Sequence, residues 1–162
     1  MRSVRVVRLV RHARSRQPVL VLGEVDGDRC LPVFLRQPQA DVIAVGSRGP
    51  DDPLLPQDVL VPVLRGLGHT LTGAEITALT DGVFSADLLV DGGTRVAVLP
   101  SDALAVAVRE GLPIGVADEI LDAVGQPLAE VLPTGPAPEQ QIEEFRGFLD
   151  EVSPEDFGTT ER

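Results

Sequence analysis

Residues 91–116, "DGGTRVAVLPSDALAVAVREGLPIGV", carry a clear succession of secondary-structure signals. The run "TRVAVL" after the turn residues "DGG" predicts a strand over 93–98. The next run has good helix formers and is apolar on every side at "ALAVAV", which predicts a buried helix over 101–110. "LPIGV" then predicts a short strand within 112–116. This segment is therefore predicted to supply two strands of a sheet and a helix that packs on the sheet.

On both sides of this segment the chain alternates strand-like and helix-like runs. Pro62 is expected to kink or delay the helix that contains it, and "DGD" at 26–28 is typical of a hairpin turn. The expected fold is α+β, with a mixed, mainly antiparallel sheet packed against helices in one domain over 1–127. The further predicted strands cover 2–11, 18–24, 29–35, 70–79 and 83–90, and the further predicted helices cover 38–47, 57–68 and 117–124.

Two stretches of the sequence echo one another. Both "VDGDRCLPVFLRQPQADVIAV" (25–45) and "VDGGTRVAVLPSDALAVAV" (90–108) read as a hairpin turn, an apolar strand and a helix. An internal strand–strand–helix duplication is one explanation of the echo, and coincidence is the other.

The composition limits the class of protein. The chain has 162 residues, of which 43% are hydrophobic, as expected of a folded domain. Its single cysteine, Cys30, excludes an internal disulfide framework and predicts a cytoplasmic protein. No apolar run approaches the ~20 residues of a membrane-spanning helix, so no membrane partner is expected.

Charge is unevenly distributed along the chain. The net charge of −11 disfavours non-specific attraction to phosphate backbones, yet the first sixteen residues carry six arginines and no acid. This basic end is either a solvated face or a surface that meets a polyanion. The arginines are Arg2, Arg5, Arg8, Arg11, Arg14 and Arg16.

The last part of the chain differs in composition from the rest. Residues 128–138 predict a Pro-rich linker, and residues 139–162 predict an acidic amphipathic helix and tail. Such a helix docks either on its own domain or in a partner subunit, and we expect a homo-oligomer. The apolar stripe of the helix consists of Ile142, Phe145, Phe148, Leu149 and Val152.

The pair Ser101-Asp102 interrupts two apolar runs. Ser101 follows Pro100 and precedes good helix formers, so it is expected to be the N-cap of the helix. Asp102 then lies in the first turn, where the helix dipole favours a negative charge. Capping explains both residues without a catalytic role.

Four motifs suggest an alternative. "LPSDA" (99–103), "CLPVFL" (30–35), "DGVFSADLLVD" (81–91) and "LRGLGHTL" (64–71) keep the order and spacing of motifs in the bifunctional nuclease (BFN) domain family. The chain from about Val4 to Pro127 therefore resembles that family, whose members are ascribed cleavage of DNA and RNA. "PLLPQD" (53–58) is similar to its Arg-Pro-Leu-Thr-His-Asp loop.

The chain departs from the family pattern at polar and aromatic positions. Leu99 replaces an Arg that would clamp phosphate, and Gln57 replaces a His that would move a proton. Ser85 replaces a Tyr, and Phe34 replaces a Trp.

The resemblance implies a metal-dependent hydrolase with Asp102, Ser101 and Asp58 as catalytic residues. Two of these, Asp102 and Asp58, would ligate Mg²⁺ or Mn²⁺. The arginines Arg5, Arg8 and Arg11 would hold DNA or RNA.

A second hypothesis is a non-catalytic regulatory or protein-interaction module that uses the same fold. The missing Arg and His, the net acidity and the lack of Trp and Tyr for base stacking favour it. His12 and His69 are expected to be surface or capping residues rather than catalysts.

Overall fold

The computed structural model describes residues 1–131, so the predicted helix and tail over 139–162 lie outside the described residues. The strands are β1 (Arg2–Arg11), β2 (Pro18–Glu24), β3 (Arg29–Phe34), β4 (Leu71–Thr80), β5 (Val83–Val90), β6 (Thr94–Val98), β7 (Ile114–Val116) and β8 (Gln126–Pro127). The helices are α1 (Gln37–Val45), α2 (Leu60–Gly66), α3 (Pro100–Glu110), α4 (Asp118–Val124) and α5 (Leu128–Val131). The predicted α+β class is confirmed.

The strands form one mixed sheet in the order β6-β5-β4-β7-β1-β2-β3-β8. Two antiparallel meanders, β1-β2-β3 and β4-β5-β6, lie on either side of β7. Strand β7 runs parallel to β4 and antiparallel to β1, so it joins the two meanders. A helix follows each meander, and the strand–strand–helix order therefore occurs twice, whereas its origin by duplication stays a prediction.

The tight turn between β4 and β5 has a local cause in the sequence. Asp81 and Gly82 both have positive φ, 51° and 78°. A two-residue turn of this kind matches the twist of the strands and favours Asp-Gly. The sequence thus sets the register of the strands next to this turn, up to the register shift between Ile76 and Ala78.

The core lies between the sheet and the helices. It contains Leu20 and Leu22 of β2, Leu104 of α3 and Leu121 of α4, none of which is measurably exposed. The predicted burial of α3 is confirmed, because its residues 103–107 are all buried. Full burial of a side chain such as Leu104 contributes about 1.5–3 kcal/mol, which helps to hold α3 against the sheet.

Helix α3 begins differently from the prediction. Ser101 is not its N-cap, because the helix starts at Pro100 and Leu99 occupies the cap position. Proline suits the first helical position, where its fixed φ is already helical and its missing N–H has no intrahelical acceptor. The first-turn position of Asp102 is confirmed.

The predicted helix over 57–68 is split. Residues 56–59 form a 3-10 turn, and α2 begins only at Leu60. Pro62 therefore lies in the first turn of α2, where its lack of an N–H is tolerated, as the predicted delay requires.

The first residues of the predicted linker are part of the fold. Strand β8 pairs with β3. The backbone N–H of Leu128, at the start of α5, donates to the carbonyl of Asp28 at 2.8 Å. Residues 1–131 form one compact unit.

No helix of this unit is long and apolar enough to span a membrane.

Candidate functional site

Helices α1 and α3 lie side by side and run in the same direction. Asp102, in the first turn of α3, contacts Gln39 in α1. At the other end, the backbone N–H of Arg48 donates to the carbonyl of Arg109 at 2.8 Å. Asp102 and Asp58, the two predicted metal ligands, lie near opposite ends of this helix pair.

Asp58 forms a buried ion pair with Arg109. Arg109 Nε donates to both carboxylate oxygens at 3.2 Å, and the Arg109 Nη2–Asp58 Oδ2 distance is also 3.2 Å. The backbone N–H of Leu55 donates to Asp58 Oδ2 at 2.8 Å. The Asp58 side chain has no solvent exposure and that of Arg109 has 2%. The pair is therefore sealed from solvent.

The other donors of Arg109 connect separate parts of the chain. Its Nη1 donates to the carbonyl of Gly46 at the end of α1, and its Nη2 donates to the carbonyl of Pro53 in the loop before α2. Arg109 thus fastens α1, α3 and this loop together through one guanidinium group.

The pKa of the Asp58 carboxyl reflects competing effects. Burial alone raises this pKa, but the hydrogen bonds from Arg109 and Leu55 and the charges of Arg109 and Arg48 outweigh burial. The result is a pKa below the ordinary 3.8. Asp58 is therefore ionised at neutral pH as the counter-ion of Arg109.

This environment does not fit the implied metal site. A shared Mg²⁺ or Mn²⁺ needs carboxylate oxygens that are open to the ion and its waters. Both oxygens of Asp58 already accept hydrogen bonds inside the core. Within residues 1–131, no group of three or more His, Cys, Asp or Glu side chains is placed to hold a metal ion.

Asp102 has a different, more open environment. Its Oδ1 accepts hydrogen bonds from Gln39 Nε2 at 2.6 Å and from Arg36 Nη2 at 3.1 Å. The Asp102 side chain is 38% exposed. Ser101, its neighbour, is buried, with 6% exposure. Of the three predicted catalytic residues, Asp102 is the one whose functional group reaches the surface.

The positions that depart from the family pattern are spread over the fold. Leu99 is an exposed cap residue of α3, and Ser85 is exposed on β5. Gln57 precedes the ion-paired Asp58, and its buried Nε2 has no hydrogen-bond partner among residues 1–131.

The predicted nucleic-acid-binding arginines lie on β1. Arg5 is opposite Gly23 and Arg8 is opposite Val21 in the β1–β2 register. The alternate residues of β2, Leu20 and Leu22, belong to the core. Opposed side chains of an antiparallel pair share one face, so both arginines lie on the face opposite Leu20 and Leu22, here called the outer face. The middle of this face is covered, since Val19, Val21 and Cys30 are buried.

A β-bulge explains how two residues three apart share this face. The register shifts between Val6 and Arg8, so Val7 is an extra residue. A Cβ at Gly23 would lie 2.7 Å from Val7 Cγ2, which places Val7 over that glycine. The extra residue reverses the alternation of β1 beyond it, and Arg8 points outward like Arg5.

The partners of these arginines differ. Arg5 is exposed and Arg8 is half-buried, and neither has an ion pair or side-chain hydrogen bond within residues 1–131. Arg11 Nη1 donates to the carbonyl of Arg16 at 3.0 Å and so braces the β1–β2 hairpin. Arg5 and Arg8 can therefore accept a ligand without breaking an ion pair within residues 1–131.

Other arginines of the sheet are already engaged. Arg2 Nη1 and Nη2 donate to Glu24 and Asp122 at 3.0 and 2.9 Å, which raises the pKa of Arg2. Arg95 is paired with Glu75 and Asp87. These ion pairs neutralise charge locally, in contrast to Arg5 and Arg8.

An aromatic contact lies at the end of the outer face. Phe34 is opposite Val19, which is opposite Val10, so the three side chains form one row across the meander. The ring centroids of Phe34 and His12 are 5.7 Å apart, with an interplanar angle of 58°. His12 Nδ1 accepts a hydrogen bond from the backbone N–H of Ser15 at 3.2 Å.

His69 has a different role from His12. Its Nδ1 lies 3.1 Å from Asp91 Oδ1 at the surface, and the second oxygen of Asp91 accepts from the backbone N–H of Thr70. This contact ties the start of β4 to the end of β5, in line with a surface role.

Sequence reasoning missed two partnerships. The Arg109–Asp58 pair could have been anticipated from the sequence. Arg109 directly follows the apolar run "ALAVAV" of a helix that is expected to be buried. A buried arginine needs a carboxylate, and this requirement points to Asp58. The contact between Phe34 and His12 joins residues 22 positions apart and has no local signal.

The fold and the site define an α+β domain with a basic outer face and a sealed carboxylate. The chain belongs to the bifunctional nuclease domain family, whose sequence profile matches residues 20–129. The predicted family is thus confirmed. Because the match begins within β2, Arg5 and Arg8 lie outside it.

Two relatives extend this similarity to the whole chain. They are the uncharacterised proteins MT1877 and Rv1829 of Mycobacterium tuberculosis, from strains CDC 1551 and H37Rv. Each is 38% identical over 164 residues, which cover 99% of this chain and 100% of the relative.

Proposed function

We propose that this protein is a cytoplasmic member of the bifunctional nuclease family that binds DNA or RNA on the outer face of β1-β2-β3. The placement of Arg5 and Arg8 carries the proposal. The bulge at Val7 turns both guanidinium groups to one face, and neither is neutralised within residues 1–131. Guanidinium groups bind phosphate oxygens in a bidentate manner, so this face suits a phosphate backbone.

The net charge of −11 is compatible with this proposal. At physiological salt, exposed charges are screened over about 8 Å. A bound strand therefore responds mainly to the arginines beneath it rather than to distant acids. Weak binding that depends steeply on salt is the expected behaviour.

The geometry supports binding better than metal-dependent cleavage. The Asp58 carboxylate is held by Arg109 inside the core, and Asp102 alone offers a surface carboxylate among the predicted catalytic residues. Phosphodiester hydrolysis through a metal shared by these two residues is therefore not part of the proposal. Cleavage remains a separate property to be measured.

The test is a titration of fluorescent 20-nucleotide DNA and RNA strands at several salt concentrations. Changing both Arg5 and Arg8 to Gln should weaken binding at low salt by about tenfold or more and reduce the slope of log K against log salt by about two, one for each lost phosphate contact. Arg65→Gln is the matched control, because it removes an exposed arginine of α2 instead. Equal binding by the double variant and the control would refute the proposal, as would no binding at about 20 mM salt, where electrostatic binding is strongest.

The same strands, incubated with Mg²⁺, Mn²⁺ or a chelator, measure cleavage. Loss of metal-dependent cleavage in Asp102→Asn, with binding retained, would add a catalytic role for Asp102. Binding without cleavage in the parent protein is the outcome we expect.

A second candidate function is self-association through an apolar patch. The patch consists of Leu54, Val59, Val63 and Leu67, whose exposures are 59%, 50%, 52% and 69%. The last three follow at four-residue intervals and so form one stripe. Arg65 is the only exposed charged side chain within residues 53–68.

We propose a second copy of this chain as the occupant of the patch. Two copies with a net charge of −11 each repel over most of their surfaces, and this nearly uncharged stripe is where they meet with the least repulsion. A two-fold interface would bury the stripe against itself. Analytical ultracentrifugation tests the dimer. Val63→Glu, in the patch, should sediment as a monomer, whereas the control Val83→Glu should still dimerise, since Val83 is 67% exposed at the β4–β5 turn. A parent protein that stays monomeric at about 100 μM, well above the Kd of a specific dimer, would refute the dimer.

A further inference from the structure

The most unusual exposed side chain of the outer face is that of Phe34. It is 50% exposed, whereas Phe84, the other phenylalanine within residues 1–131, is packed against the core. Full burial of a Phe side chain contributes about 1.5–3 kcal/mol to stability. Phe34 forgoes part of this gain, and a ligand that covered its ring would recover it.

The His12 ring contacts Phe34 without covering it. An interplanar angle of 58° at a centroid distance of 5.7 Å makes the two rings a wedge rather than a closed stack. Both residues are exposed. A flat, uncharged ring can therefore lie on either of them.

The orientation of His12 is fixed by Ser15. Because a backbone N–H only donates, the contact from Ser15 N requires Nδ1 of the neutral ring to be an acceptor. The Ser15 hydroxyl also lies 3.0 Å from Nδ1. The proton of the neutral ring is then on Nε2, the ring nitrogen that Ser15 does not contact.

Exposed arginines lie close to His12 in the sequence. Arg14 and Arg16 are exposed in the hairpin that carries His12, and Arg8 lies on the same face. Neighbouring strands are about 4.8 Å apart and residues rise about 3.3 Å along a strand. Arg8, two strands and one outward-facing row from Phe34, is therefore about 12 Å away by this spacing. Val21 and Val19, which lie between them on this face, are buried, so a bound strand would contact Arg8 and Phe34 at the margins of a covered strip.

We propose that Phe34 and His12 form a stacking platform for an unpaired base and that this surface takes single-stranded nucleic acid. The inference rests on the proposed nucleic-acid binding and specifies its substrate. Bases of a duplex are stacked on one another and offer no free face, whereas those of a single strand stack on aromatic side chains. The platform therefore discriminates between the two, while the arginines hold phosphate in either.

The chain allows a direct spectroscopic test, because it has no Trp and no Tyr. In Phe34→Trp, all tryptophan fluorescence comes from the platform. Oligo-dT of about 15 nucleotides, which is long enough to span a single-strand site, should quench this fluorescence, and a duplex of equal length should not. Val83→Trp, at the exposed β4–β5 turn, is the control and should respond to neither.

Affinity provides the second readout. Phe34→Leu keeps an apolar side chain but removes the aromatic face, and it should weaken oligo-dT binding about 5- to 160-fold, since stacking contributes ~1–3 kcal/mol per base. Duplex binding should change by less than about twofold, because stacked bases offer the ring no free face. His12→Gln, on an exposed hairpin, should weaken oligo-dT binding in the same direction and covers the case in which Phe34→Leu fails to fold.

The outcomes separate this inference from the proposed function. Suppose that oligo-dT binds through Arg5 and Arg8 but neither quenches the fluorescence of Phe34→Trp nor loses affinity in Phe34→Leu and His12→Gln. The platform is then wrong and nucleic-acid binding stands. Duplex binding as tight as single-strand binding, with equal loss in Phe34→Leu, also overturns the platform. If neither nucleic acid binds at low salt, the proposed function itself fails.

Discussion

Arg109 Nε lies 3.2 Å from both carboxylate oxygens of Asp58, and both side chains are sealed inside the fold. The aspartate that the motif suggested as a metal ligand therefore has an internal counter-ion on α3. A buried ion pair contributes little net stability compared with apolar residues, but breaking it leaves one charge buried and alone. This relationship makes the strongest prediction about stability.

Asp58→Asn should lower the free energy of unfolding by about 3–5 kcal/mol, because it leaves the Arg109 charge unpaired in the core. Urea unfolding followed by circular dichroism measures the change. The double variant Asp58→Leu, Arg109→Met removes both charges and should recover most of the loss. A loss below about 1 kcal/mol in the single variant, the range of exposed pairs, would show that the pair is not buried in solution.

The stability of the protein should fall in acid through Asp58. Its pKa is lower in the folded protein than the ordinary 3.8, so ionised Asp58 stabilises the fold above about pH 4, and this contribution is lost as pH falls through the folded pKa. The unfolding free energies of the parent and Asp58→Asn should therefore converge between about pH 5 and pH 2. A constant difference over that range would contradict the assignment.

Asp102→Asn should have a small effect on stability, about 1 kcal/mol or less. Asp102 and its partner Arg36 are 38% and 58% exposed, and solvent screens ion pairs of this kind. The helix dipole adds a comparable small term. Thermal unfolding of this variant beside Asp41→Asn, a surface acid of α1, measures it. A loss of more than about 2 kcal/mol would indicate a tighter role for Asp102 than the contacts predict.

Gly23→Ala should destabilise the bulge that aims the arginines. The added Cβ would lie 2.7 Å from Val7 Cγ2, closer than such atoms approach, and an overpacked contact costs about 1–3 kcal/mol. Combining it with Val7→Ala, which removes the clashing methyl groups, should reverse part of the loss. Urea unfolding of the two single variants and the double variant measures how far their losses of unfolding free energy are coupled. Purely additive losses would count against the contact between residues 7 and 23.

The sequence determined the elements of the meanders and their order. Local signals suffice for these, because alternating apolar residues, the Asp-Gly turn at 81–82 and the apolar run of α3 act over a few residues. The start of α3 was missed by one residue, since Pro100 at the first helical position competes with Ser101 as a cap. Motifs in the sequence also sufficed to predict the family, which the profile match confirms.

The tertiary structure decided what the functional residues do. Asp58 and Arg109 are 51 positions apart, and only the packing of α3 against the turn before α2 makes one the counter-ion of the other. Arg5 and Arg8 share a face only because the register slips at Val7, which depends on the pairing of β1 with β2. A sequence specifies side-chain chemistry and local periodicity. The burial of a side chain, its ion-pair partner and the face of the sheet on which it lies depend on distant segments, which meet only after folding.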